Sequence, residues 1–153
     1  MDVTHKLNDL TLTSPKQVAN VFWSILQAEP EIEQKKEHFW TIGLSTKNTI
    51  EFIELNTLGS LYETVVRPSE VFAMPIIKNV RAIIVGHNHP SGDPKPSMED
   101  DKITKLLFKA SLFLDIPLYD HVIISNQGSY FSYSESSKEW SEWQNRKAEW
   151  RTE

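Results

Sequence analysis

Two histidines, His87 and His89, stand one residue apart where the apolar run Arg81-Ala82-Ile83-Ile84-Val85 gives way to a loop rich in proline and glycine. Side-chain direction repeats every two residues in extended chain, so two imidazoles at this spacing project to the same side. Sheet ends are also where ligands commonly bind. His-x-His by itself is met as readily by two loop histidines. The loop through Pro90, Gly92, Pro94 and Pro96 ends at Ser97-Met98-Glu99-Asp100. That tetrapeptide reads as a serine-capped helix start with acidic residues in its first turn, which requires no metal. It also offers a third ligand, because a carboxylate in a first helical turn has a fixed direction. Two histidines and one carboxylate with an open fourth position make a catalytic zinc set.

Hydrolysis at such a site needs a base. Bound zinc brings a water's pKa to about 7, and a neighbouring carboxylate can take its proton and pass it to a leaving amine. Glu37, Glu51, Glu54, Glu63, Glu70 and Glu99 are all candidates, and spacing does not choose among them.

Composition narrows the alternatives. The 153 residues suffice for one core and contain no cysteine, which removes disulfides and thiolate zinc sites and leaves imidazole and carboxylate as metal ligands. The net charge of −5 disfavours non-specific nucleic-acid binding, which rests on Lys and Arg neutralising phosphates. No apolar run reaches bilayer length, and the first residues lack a basic-then-apolar leader pattern, so a cytoplasmic location and no membrane partner are expected.

The elements that must position these residues follow from patterning. Residues 1–13 are polar and expected to be flexible. Ser14-Pro15-Lys16-Gln17 starts a helix by cap, first-turn proline and glutamine, and Val18, Val21, Phe22, Ile25 and Leu26 give it one apolar face up to about Glu29-Pro30. Glu29 to Glu37 reads as a solvated charged connection. Alternation from His38 through Trp40, Ile42 and Leu44, turn residues Ser45 to Asn48, and the run Thr49 to Leu55 predict a hairpin. Leu61 to Val66 predicts a third strand. Pro68-Ser69-Glu70 opens a second helix carrying Val71, Phe72, Ile76 and Ile77, with a kink or early end at Pro75. The run up to Val85 is a strand buried on both faces that leads to His87. Ser97 opens a helix with Ile103, Leu106, Leu107, Ala110 and Leu114 at core spacing, ending before Ile116-Pro117. Leu118 to Ser125 and Tyr130 to Tyr133 are strands about an Asn126-Gln127-Gly128 turn. The sum is an α/β sandwich with a mixed sheet. The tail, residues 135–153, places Trp140, Trp143 and Trp150 near one helical face, which would dock on its own domain or serve a partner, including a second copy.

The string His87-x-His89, Ser97, Asp100 fits the JAMM (MPN+/JAB) metalloprotease motif. The words His-Asn-His-Pro-Ser-Gly-Asp-Pro and Asp120-His121-Val122-Ile123-Ile124 resemble the RadC family, over about Ser14 to Tyr133. The resemblance implies a cytidine-deaminase-like JAB/MPN fold, a three-layer α/β sandwich whose mixed sheet is flanked by helices, spanning 14–134. It implies a zinc ion on His87, His89 and Asp100, with Ser97 hydrogen-bonding the zinc water or the oxyanion. The family's upstream glutamate precedes a strand, and Glu37 holds that place, with Glu51 and Glu54 as fallbacks. The helix-hairpin-helix segment that often precedes such a domain is not in the sequence, so no DNA-binding module is expected, and the family's DNA-repair label is not carried over. Asp120 and His121 read as a polar start to a buried strand in preference to partners orienting a ligand histidine. A zinc deaminase would need Pro-Cys-x-x-Cys and is excluded.

The expected activity is therefore zinc-dependent hydrolysis of a peptide or isopeptide-like amide in a protein substrate. The competing reading is a non-catalytic JAB-like adaptor in DNA metabolism or a mobile element. A nuclease using the same metal is disfavoured by the acidic net charge.

Overall fold

The computed structural model describes residues 7–59 and 66–152. The helix capped by Ser14 forms as expected: its hydroxyl accepts the Gln17 N–H, and α1 runs Pro15–Gln27, burying Val18, Ala19, Val21, Phe22, Ile25 and Leu26. Glu29 to Glu37 is more ordered than a solvated connection. It holds a turn of helix, α2 (Glu31–Gln34), whose Gln34 side chain donates to the Glu29 carbonyl at 2.8 Å. The Gln34 carbonyl in turn accepts from Asn126 at 2.8 Å. The hairpin β1 (Glu37–Leu44) and β2 (Ile50–Gly59) is antiparallel, closed by the Ser45–Thr49 turn. From the stretch 1–13, Asp9 to Leu12 exchange backbone hydrogen bonds with Asn48 and Ile50, and Leu12 is buried.

The strand expected over Leu61 to Val66 falls almost wholly outside the described residues; Val66 itself is buried outside any strand. The second helix is divided into α3 (Pro68–Val71) and α4 (Ala73–Lys78). The break comes before Pro75 because proline lacks the N–H that would bond the Val71 carbonyl and its ring crowds that turn. Val71 and Phe72 are buried, whereas Ile76 and Ile77 are exposed, against the expected apolar face.

The chain then enters β3 (Ala82–His89), turns into α5 (Met98–Leu114), and returns in β4 (Leu118–Ser125) beside β3 and parallel to it. β5 (Tyr130–Ser132), α6 (Tyr133–Ser136) and α7 (Lys138–Arg151) complete the fold. Among the described residues the sheet order is β2-β1-β3-β4-β5, with β3–β4 the parallel pair and the rest antiparallel.

Alternation along the strands divides the core into two layers. α1 covers one face with Trp40, Ile42, Ile84, Val122 and Ile124. The other face holds Phe39, Ile83, Val85 and Ile123 under α5 and α7, with Trp140, Trp143 and Trp150 buried among them. Gly86 lets α1 approach, since a Cβ there would lie 2.2 Å from the Phe22 ring. α5 is rotated from the expected face: Leu106 and Leu114 are exposed, and the buried side runs through Asp100, Thr104, Leu107, Phe108, Ser111 and Leu112. An amphipathic reading misses this rotation because three of its inward residues, Asp100, Thr104 and Ser111, are polar.

Candidate metal centre

β3 carries the histidines within the strand. Ile83, Val85, His87 and His89 alternate onto the α5 face, while Gly86 and Asn88 face α1. The β3–β4 ladder continues to His89↔Ser125, but the β1–β3 ladder stops at Phe39↔His87. Beyond that point β1 pairs with β2 alone, out to Glu37↔Gly59. A gap thus opens between the two strands, with Glu37 on one bank and His89 on the other. Glu37 lies two residues from Phe39 and so on the same sheet face as the histidines.

The third group comes from the first turn of α5. Ser97 and Asp100 form a capping box in which Ser97 Oγ accepts the Asp100 N–H at 3.1 Å and Asp100 Oδ2 accepts the Ser97 N–H at 2.8 Å. The cap consumes one carboxylate oxygen and fixes the other. Oδ1 lies 3.1 Å from His87 Nε2, and Oδ2 lies 3.1 Å from His89 Nε2. The two Nε2 atoms are 3.0 Å apart. His87, His89 and Asp100 thus form a group that could hold a metal ion. These separations approach the roughly 3.3 Å ligand–ligand edge of a tetrahedron with zinc-length bonds.

Donors and acceptors give an independent test of fit. The Thr104 hydroxyl donates to the Asp100 carbonyl at 2.6 Å, so at its 2.6 Å contact with His121 Nδ1 it must accept. His121 therefore carries its proton on Nδ1, and its Nε2 accepts from His87 Nδ1 at 2.7 Å. His89 Nδ1 donates to the Asp93 carbonyl at 2.9 Å. With both ligand histidines protonated on Nδ1, their neutral forms turn bare Nε2 lone pairs toward each other and toward a carboxylate. Asp100 Oδ1 correspondingly finds no hydrogen-bond partner although it is buried. Lone pairs this close repel unless a cation lies among them, and a metal ion meets that requirement.

The titration directions describe the same atoms when protons, in place of a metal ion, lie between them. Burial would depress His89, but the Asp100 carboxylate, the Asp93 carbonyl and the charge of Glu37 outweigh it, and its pKa is raised. Burial would lift Asp100, yet hydrogen bonding to His87 and His89 and from the Ser97 backbone holds it well below the carboxylate range. His121 is pushed well below the usual imidazole value by burial first, then by His87 and His89, which keeps it neutral as the tautomer argument requires.

Other carboxylates considered from the sequence are placed elsewhere. Glu51, Glu70 and Glu99 are exposed, and Glu54 accepts from Asn56 in an array with Thr41 on β1. Glu63 lies outside the described residues. Asp120 and His121 have separate roles. Asp120 faces away, binding the Ser132 hydroxyl and the Ser134 and His121 amides, as its polar-strand reading suggests. His121 is a partner of a ligand histidine, contrary to the reading the sequence favours. Thr104 and Asn88 carry no motif of their own in the sequence. The available signals were polar residues four apart on one helix face, and an asparagine whose strand position faces the core.

The fold and this group together define an α/β domain with two histidines and one aspartate that could hold a metal ion. Comparison with known families is more specific: the model described as a RadC-like JAB domain matches residues 12–139, and the chain belongs to that family. It is 46% identical over 124 residues to a UPF0758 protein of Clostridium acetobutylicum, covering 81% of this chain and 52% of that one. A UPF0758 protein of Alkaliphilus metalliredigens is 39% identical over 137 residues, 90% of this chain and 56% of its own. One from Methanosarcina mazei is 40% identical over 121 residues, 79% of this chain and 50% of its own. The chain spans about half the length of these curated relatives. Among the described residues, no helix is long and apolar enough to cross a membrane.

Proposed function

We propose that the chain is a zinc-dependent hydrolase that cleaves a peptide or isopeptide-like amide in a protein substrate. The observation that carries this reading is the convergence of two bare Nε2 atoms and a partnerless, buried Asp100 Oδ1 beside the gap bordered by Glu37. His87, His89 and Asp100 would hold the ion through those three atoms. A divalent zinc in such a set supplies Lewis acidity and an acidified water in its open position. Glu37, which already acts electrostatically on His89, would accept a proton from the attacking water on its carboxylate and deliver it to the departing nitrogen. Ser97 uses an oxygen lone pair in the cap, leaving its O–H to donate to the oxyanion of the cleaved carbonyl. β3, locked between β1 and β4 up to the ligands, keeps the constellation rigid.

Metal analysis of the purified protein, with turnover of a quenched-fluorescence peptide mixture and of a lysine ε-linked isopeptide, tests this reading. Stoichiometric zinc that disappears in His89→Ala, and hydrolysis that falls about 1,000-fold to a measurable residue in Glu37→Gln with zinc retained, are the expected results. Protein without stoichiometric zinc would overturn it. Activity that survives Glu37→Gln would instead assign Glu37 no part in the chemistry.

A further inference from the structure

Asn88 stands between the two ligand histidines but points to the opposite face of the sheet, where it is completely buried. Its carboxamide is fully engaged. Oδ1 accepts the His38 backbone N–H at 2.7 Å, and Nδ2 donates to the Lys36 carbonyl at 3.0 Å. Nδ2 also reaches Asn126 Oδ1 at 3.3 Å, at the end of β4. The N–H and C=O that it takes belong to the residues on either side of Glu37. A parallel neighbouring strand would engage the same two groups through a backbone peptide. The contact falls where the backbone ladder between β1 and β3 has ended, at Phe39↔His87. The side-chain amide thus continues the ladder across the gap.

His38 strengthens the clamp. Its Nδ1 donates to the Lys36 carbonyl at 2.8 Å, and its ring is stacked on Trp40, with centroids 5.3 Å apart. Trp40 is stacked in turn on Phe22 of α1. The segment 36–38 is therefore gripped on the α1 side of the sheet, and Glu37, the residue between, projects to the metal side. Because Asn88 is covalently flanked by both ligand histidines, any movement of His87 and His89 is transmitted to the peptide groups around Glu37.

We propose that Asn88 is the positioning residue that sets Glu37 relative to the His87–His89–Asp100 group, acting through Lys36 and His38 and touching neither metal nor substrate. This inference rests on the hydrolase reading, in which Glu37 moves the proton. It assigns the intervening residue of the His-x-His sequence a function of its own, distinct from the ligands' function. Asp in place of Asn would retain the acceptor for His38 but set a carboxylate against the Lys36 carbonyl, so only an amide satisfies both partners.

The test uses the whole chain, with and without zinc. In the metal-free protein, Asn88→Ala is expected to speed hydrogen exchange at the His38 amide by about tenfold or more, because its acceptor is lost. In the zinc-loaded protein, stoichiometry stays unchanged, KM for the cleaved peptide or isopeptide stays within about threefold, and kcat falls about 30- to 100-fold, as expected for a displaced proton-transfer group. In a Glu37→Gln background Asn88→Ala causes no further loss, since both changes act through one group. Should Asn88→Ala fail to fold, Asn88→Asp carries the same kinetic expectation while preserving shape. A normal kcat in either variant, loss of zinc, an unmoved His38 amide, or an additive loss over Glu37→Gln would overturn the inference and leave the hydrolase reading standing. A zinc-loaded wild-type protein that cleaves neither probe would overturn both.

Discussion

The two histidines of the group that could hold a metal ion turn their Nε2 atoms toward each other but are supported in opposite ways. His87 is fully buried and backed by a side-chain relay: His121, then Thr104, then the main chain of α5. His89 is partly exposed and backed by one main-chain carbonyl, that of Asp93 in the loop that follows. One support is made by the core, from elements joined only in the folded state. The other is made locally, four residues along the chain. The core relay fixes a tautomer and joins β3 to β4 and α5, whereas the loop fixes a tautomer and joins His89 to its own turn. The difference teaches where a loss of metal should also be a loss of fold.

The sharpest way to break this comparison is to remove each histidine. His87→Ala and His89→Ala should both abolish stoichiometric zinc binding, measured by metal analysis after dialysis. Only His87→Ala should also destabilise the metal-free protein strongly, by about 2–4 kcal/mol in urea unfolding, because it opens a cavity and strands His121 Nε2. His89→Ala should cost under about 1 kcal/mol. Equal costs would show that the two supports are equivalent.

Next in size, His121→Ala should keep all three ligands yet weaken zinc affinity by about 10- to 100-fold, read by competition with a chromogenic chelator. An unchanged affinity would remove His121 from the site. A smaller effect is expected in the loop. Gly92 has φ 100°, so Gly92→Ala is strained whatever space it meets, at about 1 kcal/mol, and should loosen the turn that brings Asp93 to His89. Zinc affinity should fall by no more than about tenfold, with His87-dependent stability unchanged.

The smallest effect concerns pH in chelator-treated protein. His121 has its folded pKa lowered below 6.5, so the unfolded chain binds more protons and this contribution to stability is lost as pH falls below 6.5. His89 has its folded pKa raised above 6.5, so its contribution is complete below 6.5 and is lost as pH rises through the raised value. Urea midpoints between about pH 5 and 8 should therefore show a flattened acid limb in His121→Gln and a flattened alkaline limb in His89→Gln. The same limb changing in both variants would contradict the opposed supports.

The comparison also explains what could be read from the sequence. His89, the Asp93 loop, the Ser97–Asp100 cap and the Ser14 helix start are products of neighbours along the chain, and local chemistry points to each. The mixed α/β sheet was legible for the same reason, because alternation and caps are local. His121, Thr104 and Asn88 were not, since their meaning lies in partners 34, 17 and 50 positions away. The inward face of α5 is not legible from apolar spacing, because burial there follows donors and acceptors as well. Ile76 and Ile77 lie outward because the chain breaks before Pro75, and it is Pro75 that α4 buries.

The gap that opens where β1 leaves β3 has a consequence for the order in which the molecule assembles. His87, His89 and Asp100 belong to one strand–loop–helix unit, so gathering them closes only a short loop and costs little chain entropy. Glu37 must be brought from fifty positions upstream, across a junction that no backbone ladder holds. On the proposed reading, gathering the metal ligands and placing the base are therefore separate closures of very different length. A chain arrested before β1 docks would then bring His87, His89 and Asp100 together without Glu37.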